Sequence, residues 1–362
     1  MLTLFEQIRK PFSSRAGRFF SFISQHVMKR FTESENIFMK CYEIITLTKE
    51  KEGEAVIYTC TMNTAIDLYV ALDELKPDTV NRTHDEDYQP NGKGVNVSIM
   101  LKKYGINNVA LGFIGGFTGK FINDSLIELG IKTDFIEVDG ITRINVFINS
   151  DEEYKVVNQG PEISNNELKQ LLDKIKSIPS GNTLVVSGSL PKGVPDSVII
   201  DIAKICAQNN VKLVLDTSVS TVKETLPYKP YLLKPNEEEV AAIFQQAHPL
   251  SEEELVGCGK ELIKMGAQHV IISRGAEGAL YFSKDNLLKT NSPKGDVVNT
   301  ACSGDALLAT FLGKKMQEVP LDKALTYAVA TGASTAFSKG LSDLSDIETL
   351  IKQVEVISYE EE

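Results

Sequence analysis

From residue 55 onward, short apolar and β-branched runs alternate with longer segments whose apolar positions recur every three or four residues. The first kind predicts strands over 56–61, 109–114, 183–187, 212–216, 231–234 and 269–273. The second predicts helices over 94–104, 119–129, 165–178, 197–209, 236–245 and 252–265, then a helical C-terminal part at 303–316 and 321–337. Such alternation calls for an α/β fold, a parallel sheet covered by helices on both faces. Two stretches, 68–88 and 142–157, alternate polar and apolar residues instead and predict strands standing outside the main sheet. No repeat or Pro/Gly/Ser linker interrupts 55–362, which therefore reads as one domain with a small β appendage.

Residues 1–54 differ. Up to Thr32 they hold Arg9, Lys10, Arg15, Arg18, Lys29 and Arg30 against the single acid Glu6, with Phe19, Phe20 and Phe22 among them. This segment is expected to be a poorly ordered extension, in preference to a membrane-surface or targeting peptide. The 362 residues carry a net charge of −11, which argues against general nucleic-acid binding. Five scattered cysteines without a Cys-x-x-Cys pair fit a reducing cytoplasm better than a disulfide framework or a zinc site. No run reaches the length of a transmembrane helix.

Candidate chemistry sits at the strand ends, where open α/β sheets bind ligands. In Thr300-Ala301-Cys302-Ser303-Gly304-Asp305, small residues lead from a strand-like pair, Val297 and Val298, into a helix. Amides at such a junction form an anion nest. A carboxylate just inside it repels phosphate, so its useful role is to take a proton from an attacking hydroxyl. Taken alone, the hexapeptide is first an ordinary capped helix start. Asn91-Gly92-Lys93-Gly94-Val95-Asn96 offers a close backbone approach, a cation and an amide for sugar hydroxyls. Asp67, after the first strand, suits two hydroxyls of a polyol. Ser187-Gly188-Ser189 ends another strand. Asn236 and Glu239, three apart, share a face on which a hydrated Mg²⁺ fits, or form an ordinary helix cap. Ser273-Arg274-Gly275-Ala276-Glu277-Gly278 is a glycine turn suited to passing over a nucleotide.

The order of these pieces, with Thr142-Arg143-Ile144-Asn145 and Gly160-Pro161-Glu162-Ile163, resembles the ribokinase-like PfkB sugar kinases. Within them it is most similar to the 1-phosphofructokinase and tagatose-6-phosphate kinase group. The resemblance implies a three-layer α/β/α sandwich with a mostly parallel sheet and a small β lid from strands near 68–90 and 142–158. It implies an ATP- and Mg²⁺-dependent kinase converting D-fructose 1-phosphate to fructose 1,6-bisphosphate. A tagatose-6-phosphate kinase and a non-catalytic sugar-phosphate sensor are the alternatives. Asp305 matches the general base, and Ala301, Cys302, Ser303 and Gly304 the anion hole. Asp67, Gly92 and Asn96 match sugar contacts, while Lys93, Arg143, Ser189 and Arg82 match groups around the substrate's own phosphate. Residues 273–278, with Gly304 and Asp305, match the ATP site, and Asn236 and Glu239 organise Mg²⁺ through water. Relatives often pair their lids into a homodimer.

Three departures stand out. The usual Gly-Ala-Gly-Asp nest reads Cys302-Ser303-Gly304-Asp305, no glycine follows Asp216-Thr217-Ser218, and Lys155-Val156-Val157-Asn158 replaces a more polar run. Cys302, at a helix N-terminus, is a candidate reactive thiol, although a space-filling role is preferred.

Overall fold

The protein is described by a computed structural model covering residues 55–247 and 249–359; the extension expected over 1–54 lies outside the described residues. Its strands begin with β1 (Ile57–Thr61), β2 (Ala65–Ala71), β3 (Asp85–Asn91), β4 (Asn108–Ile114), β5 (Lys132–Thr133), β6 (Ile136–Glu137), β7 (Arg143–Asn149) and β8 (Glu153–Val156). They continue with β9 (Thr183–Ser187), β10 (Lys212–Asp216), β11 (Leu232–Leu233), β12 (His269–Ser273), β13 (Ala279–Ser283), β14 (Leu287–Thr290) and β15 (Val356–Ser358). The helices are α1 (Lys93–Lys103), α2 (Gly116–Glu128), α3 (Asn165–Lys176), α4 (Val198–Gln208), α5 (Glu237–Phe244), α6 (Glu252–Met265), α7 (Ser303–Met316), α8 (Leu321–Ala336) and α9 (Ile347–Leu350).

The large sheet runs β15-β14-β13-β12-β11-β10-β9-β1-β4-β5, and β6 also pairs with β4. From β12 to β5 all pairings are parallel, and from β12 to β15 antiparallel. Successive side chains of a strand face opposite ways. Leu184, Val186, Leu213, Leu215, Val270 and Ile272 accordingly pack with Leu171 of α3, Ile199 of α4 and Leu262 of α6 on one face. Val185, Val214 and Ile271 pack with Met100 of α1 and with Leu308 and Phe311 of α7 on the other. Every residue of α7 from 305 to 313 is buried, so this helix is enclosed on all sides. The chain leaves β1 toward β4 on one side and returns to β9 on the other, which makes the carboxyl end of β1 the switch point where a ligand crevice opens.

The second sheet is β3-β2-β7-β8. Its register lines up Tyr88, Leu68, Val146 and Val156 across four strands on one face, and turns Asp67 and Asn145 to the other.

Two expectations need correction. Val297 and Val298 form no strand: the amides of Val298 and Asn299 both donate to the Ala336 carbonyl at the end of α8, at 2.9 and 3.0 Å, and both valines stay exposed. The stretch 68–88 is not continuous either, because β2 and β3 are separated by residues 72–84. The antiparallel edge β13–β15 was not anticipated. Among the described residues no helix is long and apolar enough to cross a membrane.

Candidate active site

Helix α7 begins at the switch-point crevice. Its N-cap, Cys302, has φ 63°, a left-handed conformation that points the following amides toward the cavity, and no side chain caps them. The Ala301 amide already donates to Asn299 Oδ1 at 2.9 Å. One turn in, Asp305 Oδ2 accepts from Asn96 Nδ2 of α1 at 2.8 Å. Burial, and then the negative charge of Asp216, push the Asp305 carboxyl up to about 7. The Asp305 carboxyl thus titrates near neutral pH, as suits a proton acceptor, beside a helix start where the Ser303 amide still donates to the Thr300 carbonyl at 3.4 Å. The same amide of Asn96 also points at Cys302 Sγ, 3.1 Å away. Burial and the neighbouring Asp305 carboxylate push the Cys302 thiol up, which removes the activation that a helix N-terminus alone would give.

Lys93 and Lys234 extend toward Asp305 from the start of α1 and from just beyond β11. Their ammonium groups share Asp216 Oδ1 at 3.0 and 3.2 Å, and Lys93 Nζ also lies 3.7 Å from Glu239 Oε1. Burial opposes the charge of Lys93, but Asp216, Glu239 and Asp305 hold it protonated. Lys93, matched by the resemblance to the surroundings of the substrate's own phosphate, therefore lines the same cavity as Asp305.

Asn236 and Glu239 form a capping box: Asn236 Oδ1 accepts the Glu239 amide at 2.7 Å, and Glu239 Oε2 accepts the Asn236 amide at 3.0 Å. Both residues nevertheless line the cavity, with Glu239 Oε1 outside the cap. One carboxylate and one amide oxygen fit Mg²⁺ that keeps most of its water, and do not make an all-protein cage. Among the described residues no group of three or more acidic, histidine or cysteine side chains gathers as one.

In the glycine turn, Ser273, Gly275, Ala276 and Gly278 line the cavity while Arg274 and Glu277 do not. Arg274 Nε donates to Glu237 Oε1 at 3.0 Å and its Nη1 to Glu252, which fixes the turn against the starts of α5 and α6. Gly278 has φ 86°, and a Cβ there would fall 2.1 Å from the Thr290 carbonyl oxygen, so the turn requires glycine.

The small sheet contributes Asp67, buried, with Oδ1 accepting from Asn145 Nδ2 at 2.8 Å. Burial raises it to about 6 against the lowering effect of Asn145 and Arg143. Arg143 donates to the carbonyls of Asn63 and Asn158 at 3.0 and 3.1 Å, and its Nε is buried without a partner. Gly92, Arg82, Arg143 and Ser189 do not line the cavity. Gly92 is the N-cap of α1, held at φ 121° against Thr61. Ser189 is exposed and accepts from Asn63 at 3.3 Å, and Arg82 is exposed on 72–84.

The cavity measures 790 Å³ and joins Asp67, Lys93, Asn96, Asn236, Glu239 and 301–305 in one space. That volume falls in the range of small-molecule sites. Its remaining wall, Val329, Ala333, Ala336 and Phe337 of and just after α8 with 292–295 and Val297, has no motif in the sequence. The run of small residues in α8 was its only signal. Lys234, Asn91 and the buried Asp216 carried no assigned role, although each stands at the head of a motif that the sequence displays.

The sequence profile of the pfkB family carbohydrate kinases matches residues 56–349. The chain is 55% identical over 301 residues to a D-tagatose-1-phosphate kinase of Bacillus licheniformis, and 38% identical over 301 residues to a 1-phosphofructokinase of Bacillus subtilis. Each match covers 83% of this chain and 99% of the relative. In fold it is similar to phosphofructokinase-2 of Escherichia coli in complex with substrates and products, with TM-score 0.77, 24% identity, and 83% and 99% of the two chains covered. With an amide nest, a buried carboxyl and two lysines around one crevice of a ribokinase-like fold, the chain belongs to the pfkB family of carbohydrate kinases, phosphotransferases that act on a hydroxyl group of a sugar or sugar phosphate.

Proposed function

We propose that this chain transfers the γ-phosphoryl group of ATP to the 6-hydroxyl of a ketohexose 1-phosphate, turning D-fructose 1-phosphate into fructose 1,6-bisphosphate. The observation that carries the reading is Asp305, at the floor of the cavity and the start of α7, with its proton affinity raised by burial. Asp305 accepts the hydroxyl proton as the sugar oxygen bonds to phosphorus and the bond to the ADP oxygen breaks. The amides of 302–304 and the ammonium groups of Lys93 and Lys234 face the charge on the transferring group. Asn236 and Glu239 hold Mg²⁺ through water; the metal, when bound, neutralises triphosphate charge. The apolar residues of α8 take the base.

Asp67 and Asn145 receive the sugar hydroxyls, and the unpartnered Nε of Arg143 supports a place nearby for the resident phosphate. The small sheet is then a lid that excludes water during transfer. Its outer row is apolar, and Tyr88 and Val156 are 51% exposed. A sheet face of this kind is covered in a working protein, which supports a homodimer joined through the lids.

A second reading has its own support: the relative at 55% identity acts on D-tagatose 1-phosphate, so the 4-epimer is the preferred substrate. ADP release from fructose 1-phosphate, tagatose 1-phosphate, fructose 6-phosphate and tagatose 6-phosphate tests both. Turnover of the two 1-phosphates is expected, and their kcat/KM ratio decides between the epimers. Turnover confined to the 6-phosphates overturns the reading.

A further inference from the structure

Asp216 ends β10 with its side chain fully enclosed, and it does not line the cavity. Oδ1 receives both the Lys93 and Lys234 ammonium groups, whereas Oδ2 has no hydrogen-bond partner. Burial alone would raise this carboxyl, but Lys234 and Lys93 hold it below the ordinary range, so it stays charged. The desolvation cost of an enclosed carboxylate with one unused oxygen is comparable to what its partners return, so stability does not account for it. Its two partners do reach the cavity. Lys234 Nζ lies 3.3 Å from the point a Cβ on Gly304 would occupy, at the amide nest itself.

We propose, on the kinase reading above, that Asp216 is a positioning residue: it holds Lys93 and Lys234 together as one charged clamp for the transferring phosphoryl group, at the side of the cavity where Asp305 stands. Two ammonium groups this close repel each other and would part without the carboxylate between them. The remaining groups around Asp305 are Asn96 from α1, the Cys302 thiol at the start of its own helix, and Glu239 of α5, which acts through Lys93. Of these charges, Asp216 favours the protonated form of Asp305, while Lys93 and Lys234 favour the ionised form.

The test is Asp216→Asn beside Lys93→Met, read as the pH profile of kcat/KM and, without substrate, as the titration of the Asp305 carboxyl by carbon-13 NMR. In Asp216→Asn the acid limb and the resonance both move about one pH unit lower, the scale of one nearby charge. The plateau falls roughly 100-fold as the clamp opens. In Lys93→Met the limb and the resonance move the other way. A uniform fall at every pH with an unmoved resonance leaves Asp216 a scaffold only and overturns the proposal. If Asp216→Asn does not fold, an unmoved Asp305 resonance in Lys93→Met overturns it by itself. Because the NMR arm needs no sugar, its result stands apart from any failure of the kinase reading.

Discussion

The helix-covered core and the small sheet each send one buried aspartate into the same cavity, and they hold it differently. Asp305 stands at the start of a helix enclosed on all sides, among charges that come from three separate parts of the fold, Asp216, Lys93 and Lys234. Asp67 lies on a sheet with only one covered face, beside a neutral amide and a single arginine. The first arrangement is fixed by the core and suits bond making. The second stands outside that core and suits the recognition and closure proposed for the lid.

Replacing the two aspartates separates these roles. Asp305→Asn leaves nucleotide affinity in place, measured by calorimetry, and lowers kcat by about 10³-fold, the middle of the range for a lost general base. A kcat within tenfold of wild type removes Asp305 from that role. Asp67→Asn gives up charge-assisted bonds to sugar hydroxyls, so kcat/KM for the sugar phosphate falls roughly 10- to 100-fold, with nucleotide KM unchanged. If nucleotide KM rises instead, Asp67 does not belong to the sugar end.

In the proposed lid-to-lid dimer, the exposed face of the small sheet depends on a partner in a way the large sheet does not. Val156→Lys puts a charge into the row Tyr88, Leu68, Val146 and Val156 without touching the cavity side. Light scattering then shows a monomer where the wild type is a dimer, and kcat/KM for the sugar falls about tenfold as the positioning element loosens. A wild-type monomer with full activity breaks this part of the comparison.

The two sheets were also unequally legible. Strands 183–187, 212–216 and 269–273 coincide with β9, β10 and β12, because a strand buried on both faces is written as an unbroken apolar run. The small sheet was visible only as alternation, which marks a half-covered strand but not where it stops, and so 68–88 merged β2, a loop and β3. At the site, residues with a local signature were found, while Asp216 and Lys234 were not. Their significance lies in a shared oxygen atom contributed by distant strands, and no window of sequence contains that. Arg274 shows the opposite error: a cation within a nucleotide-site motif whose charge is consumed by Glu237 and Glu252.

The raised carboxyls make activity and stability run in opposite directions with pH. Asp305 must be ionised to accept a proton, so kcat/KM climbs about tenfold per pH unit until it levels near 7. For folding, a carboxyl with a raised native pKa binds its proton more tightly in the native state. Its contribution is complete below the ordinary carboxylate range and is lost as pH rises through about 6 for Asp67 and about 7 for Asp305. Asp305→Asn therefore melts a few degrees above wild type at pH 8, and the gap closes at pH 4. A gap that widens on acidification contradicts the assigned direction.

The smallest expected effect concerns the departure at the anion nest. Cys302 occupies a left-handed conformation, φ 63°, where its Cβ crowds the following carbonyl at a cost of about 1–2 kcal/mol. Glycine avoids that crowding but gives up about 0.5–1 kcal/mol of chain entropy. Cys302→Gly also loses the contact between Sγ and Asn96 Nδ2 at 3.1 Å, and Asn96 keeps its shorter bond to Asp305 at 2.8 Å. The balance favours glycine slightly, so Tm by differential scanning calorimetry rises by about 1–2 °C. A clear fall in Tm shows instead that the sulfur fixes Asn96, and through it the orientation of Asp305, which makes the cysteine a working part of the cradle and not a tolerated strain.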